Sequence, residues 1–217
     1  MPNPAPDVAP QIVSGDLTSS QLEGYLEAGE IAVDTETLGL NHLRDRLCVV
    51  QLCDRALRAT LVQIPRHDGS PLASRAPRLA QLLEAEHVLK ILHFARFDVA
   101  TLRHHLGIRV APIYCTRTAS KLVRTYTERH GLKDLALELL DVELEKTTTH
   151  TDWANANLTP EQVRYAVSDV TLLFDLMDRL NVMLRREERI DLAQACFAVI
   201  PTLARLDLMG YQDIFVH

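Results

Sequence analysis

Three apolar runs crowd into the stretch from Ile31 to Ile64, and they limit what this chain can fold into more than any other feature: "IAVDTE", "LCVVQLC" and "RATLVQI". Short polar turns, "NHLRDR" and "DRAL", separate them, which is the pattern of strands joined by tight connections. Such short connections suit an antiparallel meander, because parallel neighbours need a crossover of roughly a dozen residues. A fourth run, "VLKILHF", follows the helically spaced "PRLAQLLEAE" and leads into "FDVATLRHHLG", a helix that Gly107 should stop. Upstream, "DLTSSQLEGYLEAG" reads as a short helix capped at Thr18 or Ser19 and ended by Gly29. Beyond Gly107 the spacing is mostly helical, in "RTASKLVRTY", "GLKDLALELLD", a long segment from Thr159 through Arg189, and "DLAQACFAVI". The expectation is an α/β fold with strands early and helices late.

Residues 1–10, with four prolines, read as a disordered arm, and residues 11–217 as a single domain, for which 47% hydrophobic content supplies a sizeable core. The start "MPNPAPDVAP" has neither the basic residues nor the apolar block of a signal peptide, and no stretch approaches the roughly 20 apolar residues of a membrane helix. A cytoplasmic protein with no membrane contact is expected. Cys48, Cys53, Cys115 and Cys196 show no CxxC pairing and read as reduced thiols rather than a zinc site. A net charge of −6 disfavours a surface that tracks long nucleic acid by neutralising many phosphates, and leaves a short anionic substrate open.

The first apolar run ends unusually, in two carboxylates. Asp34 and Glu36, at i and i+2 on an extended segment, point to the same side of a sheet. Asp98 follows the fourth strand at the start of a helix, where capping and the helix dipole also favour an acid. Tyr165 and Asp169 stand four residues apart in "QVRYAVSDV" and share a helix face at the edge of an apolar stripe. Four acids converging in one low-dielectric cleft repel one another unless cations neutralise them. Carboxylate oxygens suit two divalent metal ions, Mg²⁺ or Mn²⁺, and a pair of such ions about 3.5 to 4 Å apart stabilises both the attacking and the departing oxygen of a phosphodiester hydrolysis. Tyr165, one turn from Asp169, is placed to orient the attacking water.

Taken in order, "DTE" at 34–36, "HFARFD" at 93–98 and "YAVSD" at 165–169 resemble the three motifs of the DEDDy 3′→5′ exonucleases, with all five signature positions present. The resemblance implies a ribonuclease H-like mixed sheet flanked by helices, with Asp34, Glu36, Asp98 and Asp169 as metal ligands and Tyr165 as the catalytic tyrosine. "CVVQL" and "TDWANANLTPEQVRYAVSDV" look like ribonuclease D, although that family's additional helical domains are not expected here, which weakens a tRNA-trimming reading. "DTETLGLNHLRDRLCVVQL", "CTRTASKLVRTYTERHGLK" and "LDLMGYQDIFVH" are closer still to the nano-RNase C family, over a match from about Ile31 to the C-terminus. That likeness implies a ring-like homo-octamer and hydrolysis of very short RNAs, especially diribonucleotides such as pGpG, to 5′-mononucleotides.

Substrate contacts follow from neighbours of the motifs. Leu38 is a candidate wedge against a base, and His93 and Phe97 are candidates to touch the 3′ nucleotide. Arg117, Lys121, Arg124, Arg129, His130 and Lys133 gather in "RTASKLVRTYTERHGLK", with Arg117, Lys121 and Arg124 expected on one helix face, as a solvated basic surface or as a pocket for a 5′ phosphate. Trp153, the single tryptophan, is expected to anchor a loop, and the apolar tail "LARLDLMGYQDIFVH" to dock. Two competing readings remain at this point: a general ribonuclease D-like enzyme trimming RNA or DNA 3′ ends, and a non-catalytic RNA-binding assembly module.

Overall fold

The computed structural model describes residues 3–4, 8–66, 69–144, 151–211 and 214. Along the chain come β1 (Asn3–Pro4), β2 (Gln11–Ser14), α1 (Ser19–Ala28), β3 (Glu30–Thr37), β4 (Leu47–Asp54), β5 (Ala59–Gln63), a 3-10 turn (Leu72–Ser74), α2 (Pro77–Glu84) and β6 (Leu89–Leu92). Then follow α3 (Arg96–Leu106), β7 (Ile113–Cys115), α4 (Thr116–Val123), α5 (Leu132–Leu140), β8 (Val142–Glu143), α6 (Pro160–Thr171), α7 (Leu173–Arg186) and α8 (Ile190–Leu208). Six strands form one mixed sheet in the order β2-β5-β4-β3-β6-β7.

The meander is present: β3 pairs antiparallel with β4, and β4 antiparallel with β5. Crossovers then add β6 and β7 parallel to β3, while β2 pairs parallel with β5 at the other edge. Every position of β4 is buried, because helices cover both faces of the sheet centre, so its sequence runs apolar without alternation. Between Glu36 and Thr37 the register with β4 shifts, an irregularity that bends the strand just past its second acid.

The local signals act as their chemistry dictates. Thr18 and Gln21 close a capping box on α1, and Gly29 ends that helix at φ 71°, a conformation without strain only for glycine. Gly107 ends α3 in the same way. The segment expected as one helix from Thr159 to Arg189 is two, α6 and α7, breaking at Leu172. Strands β2 and β7, four and three residues long, are too short to show a period and come as additions from the structure. Cys48, Cys53 and Cys115 are buried, Cys196 is half-buried, and all four are free thiols.

Of the arm expected over residues 1–10, residues 1–2 and 5–7 lie outside the described residues, and Asn3–Pro4 pair in parallel with Val142–Glu143. The tail docks through α8: Ala204 is buried, and Asp207 forms an ion pair with Arg96 at the start of α3, at 2.5 Å. Residues 212–213 and 215–217 of that tail lie outside the described residues. No helix among the described residues is long and apolar enough to cross a membrane.

Helix α6, which carries Tyr165 and Asp169, is held at its start by a second capping box, in which Thr159 accepts from the Gln162 backbone N–H and Gln162 accepts from that of Thr159. Thr159→Ala should therefore cost about 1 kcal/mol, seen as a lower urea midpoint at unchanged slope, while Thr159→Ser stays close to the parent.

Candidate active site

β3 lies mid-sheet between β4 and β6, and its last residues present Asp34 and Glu36 on one face. Helix α6 packs across β3, β4 and β5 and brings Asp169 over them. One carboxylate oxygen from each of Asp34, Glu36 and Asp169 lies within 4.8 Å of the other two. Asp98, in the first turn of α3, stands beside this trio: the hydroxyl of Thr35, the residue between the two β3 acids, donates to its Oδ1 at 2.6 Å. On the other side, Gln51 Nε2 of β4 donates to Glu36 Oε1 at 3.2 Å. Tyr165 stands one turn before Asp169 on α6, close enough that its hydroxyl pulls the Asp169 carboxyl down.

Burial and mutual repulsion act on these acids together. Burial raises Asp34 well above the usual carboxylate range, and Asp98, Glu36 and Asp169 raise it further against the pull of the Thr35 backbone. Glu36 is pushed up to about 9 by burial, then by Asp169 and Asp98, with Gln51 opposing. Burial lifts Asp98 to about 7 against its hydrogen bond from Thr35, and Asp169 to about 6 against Tyr165 and the Lys133 ammonium. Such a cluster keeps protons at neutrality. Its donor set, oxygen only and with excess negative charge, fits a hard divalent cation, whose arrival would release those protons.

The remaining sequence-derived candidates divide into two groups. Leu38, half exposed, sits just past the bend in β3. His93 Nδ1 meets the Thr116 hydroxyl at 2.9 Å, its buried Nε2 has no hydrogen-bond partner among the described residues, and burial with Arg117 nearby lowers it to about 3, so the ring is neutral. Phe97 packs on the His42 ring at 4.6 Å. Arg117 stacks its guanidinium 4.5 Å above the ring of Phe94.

The other basic residues are placed differently from the shared helix face expected for Arg117, Lys121 and Arg124. α4 ends at Val123, so Lys121 is exposed while Arg124 turns inward and is wholly buried. Arg124 donates to Ser120 Oγ at 3.1 Å, to the Arg129 carbonyl at 2.7 Å and to Glu138. Arg129 pairs with Asp134 at 2.8 Å and Glu138 at 3.4 Å, and buried His130 bonds Ser120 Oγ at 2.8 Å. A buried guanidinium must be neutralised where it sits, and these groups turn to one another and to Glu138 to do so.

Several residues at the site escape sequence reasoning. Phe94 is 48% exposed and holds φ 61°, a region bulky side chains rarely enter, in the turn between β6 and α3. Nothing in "HFARFD" announces that strain. Thr35 and Gln51 look like ordinary strand residues until their partners are seen. Trp153 does anchor its loop: it is buried, with its ring 6.1 Å from that of Tyr165, and Gln162 Nε2 ties the neighbouring Asp152 carbonyl to α6 at 3.2 Å.

A family model described as 3′-5′ exonuclease matches residues 12–185. Ribonuclease D of Sphingobium indicum is 32% identical over 161 residues, which are 74% of this chain and 40% of the relative, so the chain spans well under half the length of such relatives. NrnC of Brucella melitensis superposes with a TM-score of 0.89 at 44% identity, covering 97% of this chain and 100% of the other, and structures of that protein hold Mg²⁺ and pGG. Ribonuclease D of Escherichia coli shares the fold, with a TM-score of 0.74 at 22% identity over 91% of this chain and 51% of its own.

The raised carboxylates set the pH dependence of the metal-free protein. Their folded pKa values lie above the unfolded ones, so the folded state binds more protons, and stability falls as pH rises from about 4 towards about 9. The thermal midpoint in EDTA should drop across that window and recover on adding Mg²⁺ or Mn²⁺. Asp34→Asn should raise the midpoint in EDTA at pH 8 and lose the response to metal.

Proposed function

The chain belongs to the 3′-5′ exonuclease family, and from that premise, with its likeness to NrnC, we propose that it is a metal-dependent 3′-5′ exoribonuclease that hydrolyses very short RNAs, diribonucleotides such as pGpG above all, to 5′-mononucleotides. The observation that carries the proposal is the trio of Asp34, Glu36 and Asp169, with oxygens mutually within 4.8 Å, and Tyr165 one helical turn from Asp169.

In this reading Asp34, Glu36, Asp98 and Asp169 hold two divalent ions, Mg²⁺ or Mn²⁺. When bound, the ions supply Lewis acidity to the entering and departing oxygens of the phosphodiester. Tyr165 orients the attacking water from its place on α6, and Asp169 and Trp153 keep its ring aimed. Leu38 and Phe97 offer apolar faces to bases, neutral His93 a hydrogen-bonding nitrogen, and Arg117, fixed by its stack on Phe94, a cation for phosphate. Lys121 and Arg129 are the exposed basic candidates for a 5′ phosphate, Arg129 from its ion pairs with Asp134 and Glu138, whereas buried Arg124 and His130 serve it only through their bonds to Ser120.

The preference for short substrates is supported by the NrnC relative bound to pGG and by the net charge of −6, which suits a small electrostatic footprint. Exposed apolar residues along and beyond α8, among them Leu192, Val199 and Met209, support a homo-oligomer, an octamer by likeness to the nano-RNase C family.

A time course on 5′-labelled RNAs of two to about ten nucleotides, with matching DNAs, tests the proposal. Mononucleotides carrying a 5′ phosphate should appear fastest from the dinucleotide, and only with Mg²⁺ or Mn²⁺. A rate that climbs with length would point to general 3′-end trimming, and no release at all to a binding module. Tyr165→Phe should lower kcat by about 10²- to 10⁴-fold with metal binding retained, whereas Arg124→Ala should lower thermal stability before it changes length preference.

A further inference from the structure

Gln51 occupies the middle of β4, directly opposite Asp34 of β3, so the two side chains share one face of the sheet. It is wholly buried, on a strand whose neighbouring positions are filled by Val49, Val50, Leu52 and Cys53. Packing alone calls for a leucine or methionine in that slot. Instead the amide donates from Nε2 to Glu36 Oε1 at 3.2 Å, and its Oε1 is buried with no hydrogen-bond partner among the described residues. A buried acceptor left unpaired is uncommon and asks for a reason. Once Glu36 is ionised, as a bound cation would make it, exchanging the two ends of the amide would set Oε1 against its carboxylate, acceptor against acceptor, so in that state the donor end is committed to Glu36.

We propose that Gln51 is a positioning residue for the metal centre: its amide holds the Glu36 carboxylate in the orientation that meets Asp34 and Asp169, and the unpaired carbonyl is the cost of that arrangement. Glu36 sits at the register shift of β3, where the strand backbone alone constrains a side chain least, and it is half-buried, so a second anchor fixes what the backbone leaves free. Groups that orient metal ligands in this way govern affinity without touching the ion. The inference rests on the exonuclease reading of the same site.

The test is Mn²⁺ binding to the full chain, followed by calorimetry or by the spin resonance of free Mn²⁺, for the parent, Gln51→Leu, Gln51→Met and, as a reference, Asp34→Asn. Both Gln51 variants should bind Mn²⁺ about 10-fold more weakly or worse. Their metal-free thermal midpoints should equal or exceed the parent's, since the unpaired carbonyl is gone. Turnover of a diribonucleotide by either variant should climb back towards the parent rate as Mn²⁺ is raised, which a packing defect would not allow. Parent-like Mn²⁺ affinity in both variants overturns the proposal, as does failure of both to fold, which would make Gln51 a packing residue. If the parent binds Mn²⁺ no better than Asp34→Asn, the exonuclease reading falls and takes this inference with it; if the parent binds and the variants match it, only the role of Gln51 falls.

Discussion

Like charges held out of water are the constraint on which the rest of this structure turns. At the 4.8 Å that bounds the Asp34, Glu36 and Asp169 oxygens, each ionised pair costs roughly 3 to 4 kcal/mol at an effective dielectric constant of about 20. Three such pairs amount to about 10 kcal/mol, comparable to the whole stability of a domain. The acids therefore keep protons or take up cations. Two donors each hold one acid in place, Thr35 at Asp98 and Gln51 at Glu36, and Tyr165 stands one helical turn from Asp169.

The scaffold keeps those acids apart in sequence and together in space. β3 sits where the antiparallel meander meets the parallel strands, and its neighbours are buried on both sides. Helix α6 enters from a capped start whose loop is pinned to β5 by Gln63, through the Asn155 and Ala156 carbonyls at 3.2 Å, and α3 starts beside an ion pair with the far end of the chain. Three elements that lie far apart in the sequence are thus each fixed near the point where they deliver a carboxylate. The basic segment after β7 follows the same rule of compensated charge: Arg124, wholly buried, draws Ser120, the Arg129 carbonyl and Glu138 around itself and ties α4 to α5.

Much of this was legible in the residues because their signals are local. A strand ending in acids at i and i+2, a tyrosine and an aspartate one turn apart, a threonine with glutamine three residues on, and glycines after Ala28 and Leu106 all carry their meaning within a few positions. What escaped depends on distant partners. Arg124 looks like a member of a solvated basic face until Glu138 is brought beside it. β2 and β7 exist only because longer strands offer them an edge. The strained turn at Phe94 and the break at Leu172 answer to how helices seat on the sheet, which no local pattern reports.

The position of Trp153 has a practical side. It is the only indole in the chain and it lies against the wall behind Tyr165, 6.1 Å from that ring. All indole emission from the native protein therefore arises from a single place, a buried ring beside the tyrosine that shares a helix with Asp169, with no second tryptophan to blur it.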